Sequence, residues 1–251
     1  MPSFKAKLQE TDRRLTCHFC TIPSAIVTQA IVAEGADGVI IDQEHGAIDL
    51  ASLHAMIAAT AGTDCAPLVR VVEATDANVK RALDLGAEGI CFPMLRTPDD
   101  VRKAVATLRY PPNGTRGFGP FIAQSRWQTS VQDYRAQIEP HLVCILLIET
   151  LEAVENIEEI CEIEGIDMII PAQFDLSTAM GCSGEFDNPD LMAAVARIRE
   201  AANAKSIPLG QVALSEEQAK KYLASGYRMI AGFDAVWLRV KAAEAQSWLK
   251  P

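Results

Sequence analysis

Two carboxylates stand near the ends of short apolar runs, where they could act as metal ligands. Glu149 directly follows the apolar run 142–148, and Asp175 comes soon after a second run at 166–172. Runs of this length are typical of strands buried on both faces of a parallel sheet. Two carboxylates without clustered Cys or His suit a hard divalent ion such as Mg²⁺ or Mn²⁺. Each carboxylate also has a structural alternative, because it could cap the helix or turn that follows it.

An arginine and a histidine extend this set. Arg70 lies inside the apolar run 67–72, where a buried guanidinium needs an anionic partner, and His45 closely follows the run 38–42. His45 alone is as readily an ordinary histidine. In combination the four residues indicate chemistry on a 2-oxo acid. A metal ion would polarise the keto group, Arg70 would neutralise the developing oxyanion, and His45 would act as the base.

The elements that must position these residues alternate along the chain. Short apolar runs are followed eight times by segments with helical spacing, for example Val101, Ala104, Val105 and Leu108. This alternation predicts a single (β/α)₈ TIM barrel over residues 1–251, with a doubly wound sheet as the alternative. The predicted strands are 15–22, 38–42, 67–72, 89–94, 142–148, 166–172, 207–212 and 229–233. The predicted helices are 24–34, 50–61, 76–85, 98–108, 151–164, 189–204, 215–224 and 235–249.

One region interrupts the alternation. Residues 110–140 hold a Pro- and Gly-rich stretch and then a short polar segment with helical character. Connections of this length usually serve function or an interface, so we interpret the region as an excursion from the barrel. In a barrel enzyme the site forms at the carboxyl ends of the strands, which is where the four candidate residues fall.

The remaining residues exclude two other kinds of chemistry. All nine lysines fall in the N-terminal segment, in predicted helices or directly after them, whereas a Schiff-base aldolase needs its lysine on a barrel strand. Cys17 and Cys20 have a spacing used for zinc, but they lie in a predicted strand, where residues three apart point to opposite faces. We therefore expect neither a Schiff base nor a zinc site.

Composition limits the partners. The formal net charge is −10 and lysine and arginine are not clustered, which argues against nucleic acid and anionic membranes. The seven cysteines are an odd number spread through apolar segments, as expected for reduced thiols in a cytoplasmic protein. The first residues are polar, unlike a signal peptide, and no apolar run approaches the ~20 residues of a membrane span.

Five segments stand out in order along the chain: Ile41-Asp42-Gln43-Glu44-His45, Leu68-Val69-Arg70, the stretch 109–117, Ile148-Glu149-Thr150 and Phe174-Asp175-Leu176-Ser177. Together they resemble the HpcH/HpaI aldolases, the metal-dependent class II aldolases of the phosphoenolpyruvate/pyruvate barrel superfamily. The resemblance implies that Glu149 and Asp175 hold Mg²⁺, Mn²⁺ or Co²⁺. It also implies that His45 is the general base, that Asp84 is the acid that raises its basicity, and that Arg70 stabilises the enolate.

The same resemblance implies how substrate is bound. The backbone amides of Phe174 and Asp175 would hold the substrate carboxylate, while Phe19 and Val212 would line the site. It further implies a homohexamer, a trimer of dimers with sites near the subunit contacts, which would give the excursion a role. The C-terminal helix, with Trp237 and Trp248, would be exchanged between subunits.

Two departures from the family pattern concern the substrate. Leu147 stands where the family commonly has Gln, and Ala172-Gln173-Phe174 stands where it commonly has Gly-Pro-Ala. A lost polar group and a bulkier loop beside the keto acid indicate that the donor could differ from pyruvate, with hydroxypyruvate as an example.

The activity expected from these features is reversible cleavage of a 4-hydroxy-2-oxo acid to pyruvate, or a close analogue, and an aldehyde. One alternative is another lyase that uses the same enolate chemistry, such as a decarboxylase of a 2-oxo diacid. A second alternative is a metal-binding barrel without catalysis.

Overall fold

Eight parallel strands form a barrel in the computed structural model, which describes residues 4–249. The strands are β1 (Leu15–Cys20), β2 (Gly38–Asp42), β3 (Ala66–Arg70), β4 (Gly89–Phe92), β5 (Val143–Ile148), β6 (Met168–Pro171), β7 (Gly210–Val212) and β8 (Met229–Ala231). Their order is β6-β5-β4-β3-β2-β1-β8-β7. A bridge between Ile169 and Leu209 links β6 to the chain before β7 and nearly closes the barrel. The predicted (β/α)₈ fold is confirmed, and the doubly wound alternative is wrong.

The apolar runs of the sequence become strands buried on both faces. Every residue of β2, β3 and β5 is buried. Alternate side chains fill the barrel interior, among them Phe19, Ile40, Leu68 and Leu147. Those in between pack against the helices. Because both faces are covered, the strands read as continuous apolar runs and not as alternating patterns.

The helices return the chain from the carboxyl ends of the strands to the opposite face. They are α1 (Phe4–Gln9), α2 (Ala25–Ala33), α3 (Leu50–Ala58), α4 (Asp76–Asp84), α5 (Pro98–Thr107), α6 (Ala123–Arg126), α7 (Val131–Ile138), α8 (Leu151–Glu155), α9 (Ile157–Cys161), α10 (Gln173–Ala179), α11 (Pro189–Ala204), α12 (Glu216–Ala224) and α13 (Asp234–Ser247). The single helix predicted at 151–164 is wrong. Asn156 leaves the helical conformation there, and its side-chain amide donates to the carbonyls of Glu152 and Arg96.

The predicted excursion at 110–140 contains α6, α7 and a 3₁₀ turn at Glu139–His141. Its first part lies against α4, where the Thr115 hydroxyl donates to the Asp76 carboxylate over 2.9 Å. It also exposes the apolar side chains of Phe118, Phe121 and Ile122. These exposed groups provide an apolar surface beside α4.

Helix α13 exposes several large apolar side chains. Asp234 is its buried residue, and Trp237, Leu238 and Val240 are exposed, as is Trp248 beyond its end. Helices of the barrel normally bury an apolar face, so these exposed side chains form a candidate contact surface. Across residues 4–249, no helix is both long and apolar enough to cross a membrane.

Candidate active site

A cleft opens at the carboxyl ends of the strands. Six of the predicted site residues line it together: Phe19, Arg70, Leu147, Phe174, Asp175 and Val212. Residues for which the sequence predicted no role also line it, among them Phe186, Gln211, Gln218, Tyr222 and Phe233. The barrel thus brings residues from five strands and the loops after them to one place.

Arg70 is held by two carboxylates at the end of β2. Its Nε donates to Asp42 Oδ1 over 2.8 Å, its Nη2 donates to Asp42 Oδ2, and its Nη1 lies 3.3 Å from Glu44 Oε2. This pairing follows from the sheet, because Asp42 and Arg70 are register partners in β2 and β3. Burial alone would lower the pKa of Arg70, but the hydrogen bonds and charge of Asp42 raise it above its ordinary value. Asp42 and Glu44 both belong to the sequence segment Ile41-Asp42-Gln43-Glu44-His45. Their pairing with Arg70 could not be predicted from that segment.

Arg70 is also fixed by an aromatic neighbour. Its guanidinium lies 5.0 Å from the centre of the Phe19 ring, which in turn stacks on Phe233 at 5.1 Å. A guanidinium held by two fixed carboxylates and a ring has little freedom to reorient. Arg70 therefore presents a positioned positive charge to the cleft.

His45 lies beside the cleft with 63% of its side chain exposed. Its backbone N–H donates to Asp42 Oδ1 over 3.2 Å, so the carboxylate that holds Arg70 also fixes the loop that carries the histidine. Its Nε2 lies 3.7 Å from Glu44 Oε2. An accessible imidazole near the rim can exchange protons with a bound substrate.

Glu149 is buried, with 5% of its surface exposed, and its Oε1 accepts a hydrogen bond from the backbone N–H of Met94. Burial raises the pKa of Glu149 to about 7, and repulsion from Asp175 and Glu44 adds to the effect. The helix-cap alternative for Glu149 is wrong, because α8 is capped by the Thr150 hydroxyl. A buried carboxylate crowded by others is the environment that a divalent cation would neutralise.

Asp175 lies in the first turn of α10, next to the exposed ring of Phe174. The residue before this helix, Ala172, provides no side-chain cap. Within residues 4–249 no group of three or more His, Cys, Asp or Glu side chains is arranged around a common metal position. Asp175 lies near enough for its charge to raise the pKa of Glu149, and carboxylate oxygens are the kind of ligand that a hard divalent ion takes.

Asp84 lies away from this cleft. It is the last residue of α4, a helix of nine residues that runs from the carboxyl ends of the strands towards the opposite face. Nine residues of helix span about 13 Å. Its Oδ1 accepts a hydrogen bond from Arg116 Nη2 over 2.8 Å. One subunit on its own therefore does not bring Asp84 to His45.

The side of the cleft next to Leu147 is lined mainly by apolar side chains. Leu147 is buried in the barrel interior and takes part in its apolar core. Gln173 Oε1 accepts a hydrogen bond from the Tyr222 hydroxyl over 3.1 Å, and Phe174 packs edge-on against Phe186 at 4.8 Å. These contacts connect the first turn of α10 to α12 and to the segment before α11.

Comparison with known proteins shows which family the chain is similar to. The model of the family described as HpcH/HpaI aldolase/citrate lyase matches residues 16–239. A hydroxypyruvate/pyruvate aldolase of Chromohalobacter salexigens is 33% identical over 98% of this chain and 97% of its own. A 5-keto-4-deoxy-D-glucarate aldolase of Shigella dysenteriae is 32% identical over 91% of this chain and 88% of its own. The crystal structure of an HpcH/HpaI aldolase/citrate lyase family protein from Burkholderia cenocepacia superposes with a TM-score of 0.92, at 28% identity and full coverage of both chains.

Proposed function

The chain belongs to the HpcH/HpaI aldolase/citrate lyase family, and we propose that it is a divalent-metal-dependent aldolase. The reaction is reversible cleavage of a 4-hydroxy-2-oxo acid to a three-carbon 2-oxo acid and an aldehyde. The observation that carries the proposal is the buried Glu149, crowded by Asp175 in the same rim as the positioned guanidinium of Arg70. A chain with two aldolases among its relatives and with this carboxylate pair is suited to enolate chemistry.

The chemical steps follow from the residues at the rim. A divalent ion held by Glu149 and Asp175 would supply Lewis-acid polarisation of the keto group. His45 removes the proton of the 4-hydroxyl, the bond between C3 and C4 breaks, and the aldehyde leaves. The electron pair of the broken bond forms the enolate of the 2-oxo acid, whose negative charge Arg70 stabilises. Proton return to C3 completes the cleavage.

The beginning of α10 suits the substrate carboxylate. Its first-turn amides include those of Phe174 and Asp175, and no side chain caps them. Free amides at a helix N-terminus bind anions. We assign the carboxylate of the 2-oxo acid to these amides.

We propose hydroxypyruvate, together with pyruvate, as the donor. Leu147 removes a polar group beside the keto acid, and the loop at Gln173 and Phe174 is bulkier than the family pattern. The similar protein of Chromohalobacter salexigens is a hydroxypyruvate/pyruvate aldolase. Val212 and Phe19 would then contact the aldehyde at the mouth of the cleft.

The position of Asp84 links catalysis to the assembly of subunits. Since Asp84 lies at the far end of α4, it can support a His45 that belongs to a neighbouring subunit. We therefore propose a cytoplasmic homohexamer, a trimer of dimers, in which the excursion meets the next subunit. The apolar side chains of α13 would be covered by exchange of this helix.

A donor and metal screen tests the proposal. Pyruvate, hydroxypyruvate and a 2-oxo diacid are offered with short and long aldehydes, to chelator-treated protein and to the same protein with Mg²⁺, Mn²⁺ or Co²⁺ restored. We expect new carbon–carbon bonds only with metal, and full activity of the metal-free protein would refute the proposal. Carbon dioxide release without any aldehyde product would favour a decarboxylase. Failure of deuterium from solvent to enter the pyruvate methyl group would favour a barrel without catalysis.

A further inference from the structure

Arg116 is a buried charge with an unusual environment. Its side chain is 0% exposed, and its guanidinium lies between the rings of Tyr110 and Tyr134, at 4.7 and 5.5 Å from their centres. Within residues 4–249, its Nε and Nη1 have no hydrogen-bond acceptor. Among the described residues its ion-pair partner is Asp84, through Nη2 and Oδ1 at 2.8 Å. Burying a guanidinium with open donors is costly, so Arg116 holds Asp84 at the expense of stability.

The contact with Arg116 uses only one of the two carboxylate oxygens of Asp84. Its side chain is 21% exposed, and Arg116 binds one of its two oxygens, Oδ1. The ring faces and the single ion pair fix the guanidinium, and the guanidinium fixes the plane of the carboxylate. The other oxygen, Oδ2, is left as an oriented acceptor at the surface of the subunit.

Gly119 lies in front of that free oxygen. A Cβ added at Gly119 would sit 3.1 Å from Asp84 Oδ2 and 3.9 Å from its Cγ, and these are the atoms it would meet. The backbone of Gly119 is not in the left-handed region, so its conformation does not require glycine. A methyl group at this position would press on Oδ2, so the Asp84 carboxylate would have to shift by a few tenths of an ångström.

We propose that Arg116 and Gly119 are positioning residues that present Asp84 Oδ2 to the His45 imidazole of a neighbouring copy. This inference rests on the proposed function, in which Asp84 raises the basicity of that histidine. Arg116 fixes the orientation of the Asp84 carboxylate, and Gly119 leaves the space in front of its Oδ2 open. The excursion at 110–140 thereby supplies part of the catalytic geometry of the next subunit.

Substitution at two glycines of the same loop separates positioning from packing. Gly119→Ala adds one methyl group against Oδ2, while the matched control Gly117→Ala adds one at an ordinary 3.4 Å from Lys80 Cδ. We expect Gly119→Ala to lower kcat at least ~10-fold with little change in KM, as misplacement near the chemistry does. The apparent pKa of the base in the pH profile of kcat/KM should fall by about one, because an opposing carboxylate stabilises the imidazolium. Gly117→Ala should retain the activity and profile of the unsubstituted enzyme.

Two further variants decide the outcome. Arg116→Lys keeps the charge but loses the planar contact with Asp84, and it should move the pH profile in the same direction as Gly119→Ala. Light scattering on every variant checks that the assembly is retained. A wild-type profile for Gly119→Ala or for Arg116→Lys, in protein of unchanged mass, overturns the inference if Asp84→Asn does shift the profile. An unshifted profile for Asp84→Asn overturns it as well, while the metal dependence of carbon–carbon bond formation still decides the aldolase proposal separately.

Discussion

Removing the charge of Glu149 should stabilise the metal-free protein while it destroys activity. Glu149→Gln keeps the acceptor for the Met94 N–H and mimics the protonated acid. Burial raises the pKa of Glu149 to about 7 from the ordinary 4.5. At about 1.4 kcal/mol per tenfold change in proton affinity, the folded metal-free protein loses about 3 kcal/mol when this group ionises.

The sign of the effect sets the pH at which it is seen. Since the folded protein holds this proton more tightly than the unfolded chain, the contribution of Glu149 to stability is fully present below about pH 4.5 and is lost as the pH rises through about 7. Glu149→Gln has no carboxyl group to ionise at this position, so it does not lose this stability as the pH rises. Its stability should equal that of the unsubstituted protein near pH 4.5 and exceed it by about 3 kcal/mol at pH 8, which corresponds to about 6–12 °C in Tm for a chain of this size.

Thermal unfolding of chelator-treated protein at pH 5 and pH 8, at one fixed protein concentration, measures this difference. Glu152→Gln is the matched control, because Glu152 is an exposed carboxylate close by in the chain, and it should change stability by less than about 0.5 kcal/mol. Added Mg²⁺ or Mn²⁺ should reverse the order, stabilising the unsubstituted protein and not the variant. A gain that is the same at both pH values, or a loss at pH 8, would refute the reasoning.

Four further substitutions, at three positions, test the cleft. Arg70→Lys should lower kcat/KM by about 100-fold or more in steady-state assays, because one ammonium cannot replace the two-pronged contact. Arg70→Ala should also cost about 3–5 kcal/mol in denaturant unfolding, since Asp42 is then buried without its partner. His45→Ala should abolish turnover with a change in Tm of less than about 2 °C, because the side chain is largely exposed, and a clear loss of stability would contradict its assignment as a base. Leu147→Gln should shift the ratio of kcat/KM for pyruvate over hydroxypyruvate upwards by about 10-fold, and an unchanged ratio in the competition assay would remove Leu147 from donor selection.

Much of the barrel was predictable because its signals are local. Apolar runs of strand length and stripes of helical period need only neighbouring residues, so β2 (Gly38–Asp42) and α11 (Pro189–Ala204) were predicted at their observed bounds. Glu149 was predicted at the rim because it directly follows an apolar run, and Arg70 stood out because it is a charged residue inside one. Their roles came from the combination of residue types and from the resemblance to a family.

The tertiary structure decided what depends on register, direction and packing. The pairing of Asp42 with Arg70 requires β2 and β3 to align residue for residue, and no local pattern encodes that alignment. The separation of Asp84 from His45 follows from the path of α4 away from the rim, which a motif in the sequence does not convey. Asn156 breaks a helix whose apolar pattern continues, because its side chain binds backbone carbonyls from two segments. The sequence by itself determined which elements form and which residues could do chemistry, whereas long-range contacts determined which of those residues meet.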